Sequence, residues 1–141
     1  MKRYLSLDVG DRTIGIAVSD LLGLTAQGVE TIRRKSLSED LARLGELMLA
    51  YETSSLVVGL PKNMDGTEGE RCEIVRSFVE EVRKIYPEVE AVFWDERLST
   101  VAATKSLIAA DVSRKKRKKV IDKMAAVHIL QGYLDSLPDS P

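Results

Sequence analysis

The hydrophobic pattern of the chain changes its period near residue 33, and this change limits the fold more than any other feature. Before it, apolar and polar residues alternate, as in segments 5–9 and 14–18, which is typical of half-buried strands. A similar third strand is expected over about 25–32. After the change, apolar residues recur at spacings of three and four, beginning with Leu37, Leu41 and Leu44, which is the pattern of an amphipathic helix. The chain therefore begins with a three-strand meander and continues with helices.

A short apolar run after the first helix indicates how the sheet continues. Residues 56–60 show no alternation and stop at Pro61, as expected of a parallel strand covered on both faces. Capping boxes at Ser36–Glu39 and Thr67–Glu70 predict where the first two helices start. A fifth strand is predicted over 89–94, a third helix over 99 to about 110 and a fourth over about 118–137. The apolar stripe expected on the second helix consists of Ile74, Phe78, Val82 and Ile85.

This order of elements predicts an α/β fold. A meander followed by two right-handed crossovers gives a mixed five-stranded sheet, with a three-strand meander plus two parallel strands, flanked by helices. A length of 141 residues suits one domain. We expect this domain to span residues 1–137 and residues 138–141 to form a short flexible tail.

The composition excludes several kinds of chemistry. The only cysteine, Cys72, rules out an intrachain disulfide and a cysteine zinc site, and the only histidine, His128, leaves no His-rich metal site. No window approaches the roughly 20 apolar residues of a membrane span, and the first residues do not resemble a signal peptide. We therefore expect a cytoplasmic protein without a membrane partner, in which carboxylates do most of any chemistry.

The candidate carboxylates stand near strand ends and on the last helix. Asp8 ends the first strand before a glycine turn, where ligands gather in α/β sheets, although a turn aspartate can also cap its own backbone. Asp95 and Glu96 end the fifth strand, where they can act as ligands. The alternative is that they only stabilise the N-terminus of the following helix through its dipole and pair with Arg97.

Asp122 is the most informative of the acids. By helical spacing it shares an apolar stripe with Ala126 and Ile129, where a lone carboxylate is costly unless something compensates its charge. A cation is one such compensator, and Lys118 or Lys119 in the preceding turn is the alternative. Three carboxylates without histidine or cysteine form an oxygen-only site, which suits Mg²⁺ or Mn²⁺ rather than zinc.

A dense basic block, residues 114–119, precedes Asp122. It takes six of the 21 basic residues, so that 15 remain against 22 acidic ones and the rest of the chain carries a net charge of −7. A carboxylate metal site beside such a block suggests phosphodiester chemistry on a polyanion, and a solvated basic segment is the alternative. The loop after the fourth strand lacks P-loop spacing but can place Lys62 and Asn63 against a phosphate. The nucleic-acid-binding residues that we predict are Arg12, Lys62, Asn63, Arg97, Arg114, Lys115, Lys116, Arg117, Lys118 and Lys119.

Four stretches of the sequence carry a family resemblance over nearly the whole chain. They are residues 7–20, 58–69, 95–100 and 116–131. The second stretch includes the motif Gly-Leu-Pro-Lys-Asn-Met-Asp-Gly-Thr-Glu-Gly. With these motifs the chain resembles the YqgF/RuvX family of Holliday-junction-resolvase-like nucleases in the ribonuclease H-like superfamily. The resemblance implies a ribonuclease H-like fold and a nuclease that depends on a divalent metal. It implies catalytic and metal-binding roles for Asp8, Glu96 and Asp122, with Asp95 as an alternative middle ligand.

The resemblance also implies the substrate class. Family members are associated with maturation of the 5′ end of the 16S rRNA precursor, and resolution of four-way DNA junctions is the other activity. The partner is thus structured RNA or branched DNA, and the sequence leaves open which one, as well as whether the chain forms a homodimer. A binding factor without catalysis is a further alternative. An actin-like or sugar-kinase ATPase is excluded by length, because those enzymes clamp nucleotide between two domains.

Overall fold

The computed structural model describes residues 2–98 and 114–138, and within 114–123 it describes the backbone only. The third helix expected over 99–110 lies outside these residues. The strands are β1 (Leu5–Val9), β2 (Thr13–Ser19), β3 (Ala26–Arg33), β4 (Ser55–Leu60) and β5 (Glu90–Asp95). The helices are α1 (Leu37–Ala50), α2 (Glu70–Ile85) and α3 (Arg114–Ser136), and a 3₁₀ turn (Glu96–Leu98) follows β5.

The sheet has the predicted mixed topology. Its strand order is β3-β2-β1-β4-β5, with β1 to β3 antiparallel and β4 parallel to both β1 and β5. Because β1, β4 and β5 run in the same direction, their last residues meet at one edge of the sheet, which we call the carboxyl edge. Leu7 pairs with Val58 and Leu60 pairs with Asp95, so the three strands end at nearly the same level.

Helices cover both faces of the sheet, as the apolar run of β4 predicts. On one face, α1 and α2 pack on strand residues such as Leu7 and Val58 and form the larger core. On the other face, Ala126, Ile129 and Leu130 of α3 pack on Ala17 and Val57. Within residues 2–98 and 114–138, no helix combines the length and the apolar character that a membrane crossing requires.

The start of α2 differs from the prediction. Ser36 caps α1 as expected, because its Oγ accepts a hydrogen bond from the Glu39 N–H at 3.2 Å. The second capping box is wrong: the cap of α2 is Gly69 without a side-chain hydrogen bond, because Thr67 bonds to Asp65 instead. The predicted stripe is also rotated: Phe78 and Val82 are buried as expected, but Ile74 and Ile85 are exposed. The face of α2 that is buried consists of Cys72, Val75, Phe78, Val79 and Val82.

The last helix begins earlier than predicted. We expected the basic block, residues 114–119, to lie in the connection before the helix, but α3 begins at Arg114 and the block forms its first turns. The reason is that lysine and arginine are good helix formers, so a run of them extends a helix rather than ending it.

Candidate active site

Asp8 lies on the sheet face that α3 covers, near the carboxyl edge. The hydroxyl of Ser6 donates a hydrogen bond of 2.7 Å to the carbonyl oxygen of Ala126, so Ser6 faces α3. Side chains two residues apart share a face of a strand, so Asp8 faces the same way. Since Leu7 pairs with Val58, Asp8 lies level with Gly59 of the neighbouring strand β4.

Glu96 folds back from the end of β5 over this same glycine. Its carboxyl carbon lies 3.3 Å from the point where a Cβ on Gly59 would stand, and the side chain of Ile129 also occupies that space. Strand β5 is two places from β1, which separates their backbones by roughly 10 Å. By folding over β4, however, the Glu96 carboxyl reaches Gly59, which lies one strand spacing, roughly 5 Å, from Asp8. The structure thus brings Glu96 from the end of β5 to the strand next to Asp8.

Asp95 belongs to the opposite face and has a different partner. It pairs with Leu60, whose side chain lies in the larger core. Its carboxylate accepts hydrogen bonds from Nη2 of Arg97 at 2.7 Å and from the Arg97 N–H at 3.0 Å. These bonds to Arg97 lower the pKa of Asp95, so that it is held as a carboxylate in an ion pair. Of the two adjacent acids, this geometry favours Glu96 as a ligand next to Asp8.

Arg97 also fastens the loop that joins β4 to α2, residues 61–69. Its Nη1 donates a hydrogen bond of 3.2 Å to the carbonyl oxygen of Met64. Within the loop, the side-chain amide of Asn63 donates to the Thr67 hydroxyl at 2.9 Å, and Gly66 turns the chain with a φ of 89°. Two predicted nucleic-acid contacts, Asn63 and Arg97, therefore also shape this loop.

The other predicted contacts lie around the carboxyl edge or outside the described side chains. Lys62 is half-buried in the same loop. Its positive charge contributes to lowering the pKa of Asp95 and the pKa of Glu68. Arg12 is exposed in the turn after β1. The backbone of α3 carries Asp122 one turn before Ala126, whereas the side chains of Asp122 and of residues 114–119 lie outside the described part.

The donor set fits a hard cation. Among the described side chains, no three acidic, histidine or cysteine groups lie close enough to hold a metal ion. Two of the three predicted carboxylates, Asp8 and Glu96, belong to the carboxyl edge, and oxygen donors are those that Mg²⁺ and Mn²⁺ prefer. Cys72 does not contribute, because it is buried in the larger core and burial raises the pKa of its thiol.

One residue of the site, Gly59, was not singled out by sequence reasoning. A glycine inside a buried strand packs no side chain and often marks a close approach by another group. Gly59 stands in the apolar run of β4 and opens the Gly-Leu-Pro motif, but no role in the site was predicted for it, although this signal was present.

Comparison with known proteins agrees with the motifs in the sequence. The RuvX family model, described as Holliday junction resolvase, matches residues 2–136. The chain belongs to the RuvX family. One relative from Clostridium botulinum (strain Hall) is 56% identical over 135 residues, which cover 96% of this chain and 98% of the relative. Another, from Desulforamulus reducens, is 58% identical over 134 residues, covering 95% and 97%. Both RuvX relatives carry the name "Putative pre-16S rRNA nuclease".

A solved structure confirms the fold. Thermus thermophilus RuvC, in complex with a Holliday junction substrate, aligns with a TM-score of 0.59 at 12% identity and covers 96% of each chain. The structure of T. thermophilus RuvC alone aligns with a TM-score of 0.56 over 94% of this chain and 95% of RuvC. This RuvX chain therefore has the ribonuclease H-like fold that its motifs imply.

Proposed function

We propose that this chain is a divalent-metal-dependent endonuclease that hydrolyses phosphodiester bonds in the 5′ region of the 16S rRNA precursor. The observation that carries the proposal is the approach of the Glu96 carboxyl over Gly59, beside Asp8. Membership of the RuvX family and the names of its relatives support the substrate. A protein that matures this RNA acts in the cytoplasm, and a single buried cysteine, Cys72, fits a reducing compartment.

The course of α3 supports Asp122 as the third ligand. The ring of Tyr133 lies 5.3 Å from that of Tyr4 at the start of β1, and Ala126 accepts the hydrogen bond of Ser6 two residues further along the strand. Helix α3 therefore runs antiparallel to β1. One more turn towards its N-terminus spans about 6 Å, which matches the roughly 6.6 Å from Ser6 to Asp8. This path supports a position of Asp122 near the level of Asp8.

The residues of the chain have separate roles in this mechanism. Asp8, Glu96 and Asp122 hold the cation, and Gly59 leaves the space in which the Glu96 carboxylate can reach it. Held by these three carboxylates, Mg²⁺ or Mn²⁺ would supply activation of water and stabilisation of negative charge on the leaving oxygen. Arg97, paired with Asp95, keeps the 61–69 loop beside the site. The basic block, residues 114–119, binds the backbone of the substrate next to the cut.

Cleavage of labelled substrates tests the proposal directly. With Mg²⁺ or Mn²⁺, we expect cuts at defined positions near the 5′ end of a 16S precursor RNA. With Ca²⁺, we expect the RNA to bind but to be cleaved little. Ca²⁺ accepts carboxylate ligands, but it does not impose the octahedral geometry, with ligand distances of about 2.1 Å, that Mg²⁺ requires. Equal turnover in the presence of EDTA contradicts the metal mechanism.

A four-way DNA junction is the second substrate in this assay. It is included because the family model is described as Holliday junction resolvase and the fold aligns with RuvC. Symmetric cuts in the junction, together with an intact precursor RNA, would favour junction resolution over rRNA processing. Binding of both substrates without cleavage under any metal would favour the non-catalytic alternative.

The basic block has its own expected effect on binding. Changing Lys115, Lys116, Lys118 and Lys119 to Ala should weaken binding to all sequences about equally, since contacts with phosphates carry no sequence information. The slope of log K against log salt should fall by about 0.9 for each lost duplex phosphate contact, or about 0.7 for a single strand. Cleavage at saturating substrate should change little, and filter binding over a salt series measures the slope.

A control variant removes three cations from the opposite edge of the sheet. Lys2 precedes β1, and Arg83 and Lys84 lie in the last turn of α2, which runs away from the carboxyl edge. Changing these three residues to Ala lowers the net charge without touching the proposed binding surface, so the salt slope should stay at its wild-type value. Equal losses of affinity in the two variants would mean that residues 114–119 act only through the net charge of the chain and do not contact phosphates themselves.

A further inference from the structure

A partly buried ion pair lies behind the turn that follows Asp8. Nε of Arg34, the first residue after β3, donates a hydrogen bond of 3.1 Å to Oδ2 of Asp40 in the first turn of α1. The side chain of Asp40 is only 3% exposed and that of Arg34 is 20% exposed. The other oxygen, Oδ1, accepts a bond from the Lys35 N–H at 3.3 Å. Asp40 is thus a fixed anion that holds the guanidinium in one orientation.

Arg34 extends from this anchor to the turn after β1. Its Nη1 donates to the carbonyl oxygen of Gly10 at 2.9 Å, and its N–H donates to the carbonyl oxygen of Arg12 at 2.8 Å. The guanidinium also lies over the ring of Phe78 in α2, 5.3 Å from its centre. One side chain therefore connects α1 and α2 with the backbone directly after Asp8.

The energetics of such a pair indicate a role in geometry. Removing two charges from water costs several kcal/mol per ion, and the attraction between them often only balances that cost. A buried pair is therefore weak evidence for stability. What this pair provides specifically is orientation, because a guanidinium has several donors in a fixed planar fork and can bind a carboxylate and a carbonyl at the same time. The carbonyl that it binds, that of Gly10, is two residues from Asp8.

We propose that Arg34, held by Asp40, is a positioning residue that sets the turn at residues 10–13 and thereby aims the carboxylate of Asp8. The link to catalysis rests on the proposed function of Asp8 as a metal ligand. Groups that orient a ligand typically contribute about 10- to 100-fold in metal affinity or activity. The Gly10 N–H, which donates to the Thr13 carbonyl oxygen at 2.8 Å, reports on the turn without any metal or substrate.

The chain offers a matched control for Arg34. Nε of Arg43 in α1 donates to Glu30 of β3 at 2.9 Å, and its Nη1 donates to Glu46 at 2.8 Å. Arg43 therefore connects β3 with α1, as Arg34 does, but its bonds to Glu30 and Glu46 lie away from the turn after β1. Changing either arginine to Gln removes an ion pair between these two elements, and only one of the changes releases the carbonyl of Gly10.

The test compares R34Q, R34K and R43Q with the wild-type chain. In R34Q without metal, we expect hydrogen exchange of the Gly10 amide, followed by NMR, to be faster by about tenfold or more, because its turn opens locally. We expect Mn²⁺ affinity and kcat to fall by about 10- to 100-fold, with unchanged affinity for substrate in Ca²⁺. R34Q also leaves the buried Asp40 carboxylate without its cation, which should lower the melting temperature. R34K keeps the charge beside Asp40 but lacks the fork, so it should restore the melting temperature without restoring kcat.

Several outcomes would overturn the inference. One is Gly10 exchange in R34Q at the wild-type rate; another is an equal fall in kcat and Mn²⁺ affinity in R34Q and R43Q. Full recovery of kcat in R34K would also contradict a role for the fork. If the wild-type chain cleaves no nucleic acid, the proposed function fails, while the exchange rates and Mn²⁺ affinities of the same variants still decide whether Arg34 sets the turn.

Discussion

Asp8→Asn, Glu96→Gln and Asp122→Asn are each expected to lower the rate of cleavage by about 10³-fold or more, because metal ligation supplies several kcal/mol of stabilisation to the transition state. The measurement is single-turnover cleavage of the precursor RNA in Mg²⁺. The fold should stay intact, since none of these changes alters side-chain volume much. Without metal, removing one of several converging negative charges should even raise the melting temperature slightly for Asp8→Asn and Asp122→Asn.

Two control variants use the same substitution at neighbouring positions. Asp11→Asn changes an exposed aspartate in the turn after β1, whose pairing with Arg71 is long at 3.8 Å, and should leave cleavage unchanged. Asp95→Asn breaks the pairing with Arg97 and so loosens the 61–69 loop, but it should keep the wild-type dependence on Mg²⁺ concentration. A loss of metal affinity in Asp95→Asn, with normal affinity in Glu96→Gln, would exchange the roles of these two acids.

Gly59→Ala is expected to reduce both stability and activity. The added Cβ meets the side chain of Ile129, which is fully buried, and the carboxyl carbon of Glu96 at 3.3 Å. Overpacking of this kind costs about 1–3 kcal/mol in the free energy of unfolding. Displacement of a ligand by even about 1 Å can cost about 10²-fold in rate, so we expect kcat to fall by about that factor. Chemical denaturation and single-turnover cleavage measure the two effects.

A second substitution separates the two causes. Ile129→Val removes the Cδ1 methyl group that collides with the new Cβ, but it leaves the contact with Glu96 unchanged. In the double variant Gly59→Ala/Ile129→Val, the free energy of unfolding should recover while kcat stays low. Recovery of both would mean that the space above Gly59 serves packing alone, and that the position of Glu96 does not depend on it.

The order of strands and helices was predictable because it depends on local patterns. Alternation in the first strands, the unbroken apolar run of β4 and helical spacing in α1 each reflect burial of one face or of both, and the structure confirms these assignments. The errors arose where two local signals competed. Thr67 can cap a helix or close a turn, and its bonds to Asp65 show that the turn prevails. The run at 114–119 is predicted in the connection before the last helix, but its lysines and arginines favour helix and α3 includes them.

What the sequence determined by itself is which acids are available and near which ends of which elements they stand. Asp8 near the end of β1 and Glu96 just after β5 follow from strand periodicity alone. The approach of Glu96 to Asp8 does not, because β5 lies two places from β1, which separates their backbones by roughly 10 Å. Only the tertiary structure shortens this distance: β4 lies between them, its register sets Gly59 level with Asp8, and the missing side chain leaves the space that the Glu96 carboxyl enters. Proximity across a sheet depends on strand order, register and side-chain volume together, and no segment of the chain contains all three.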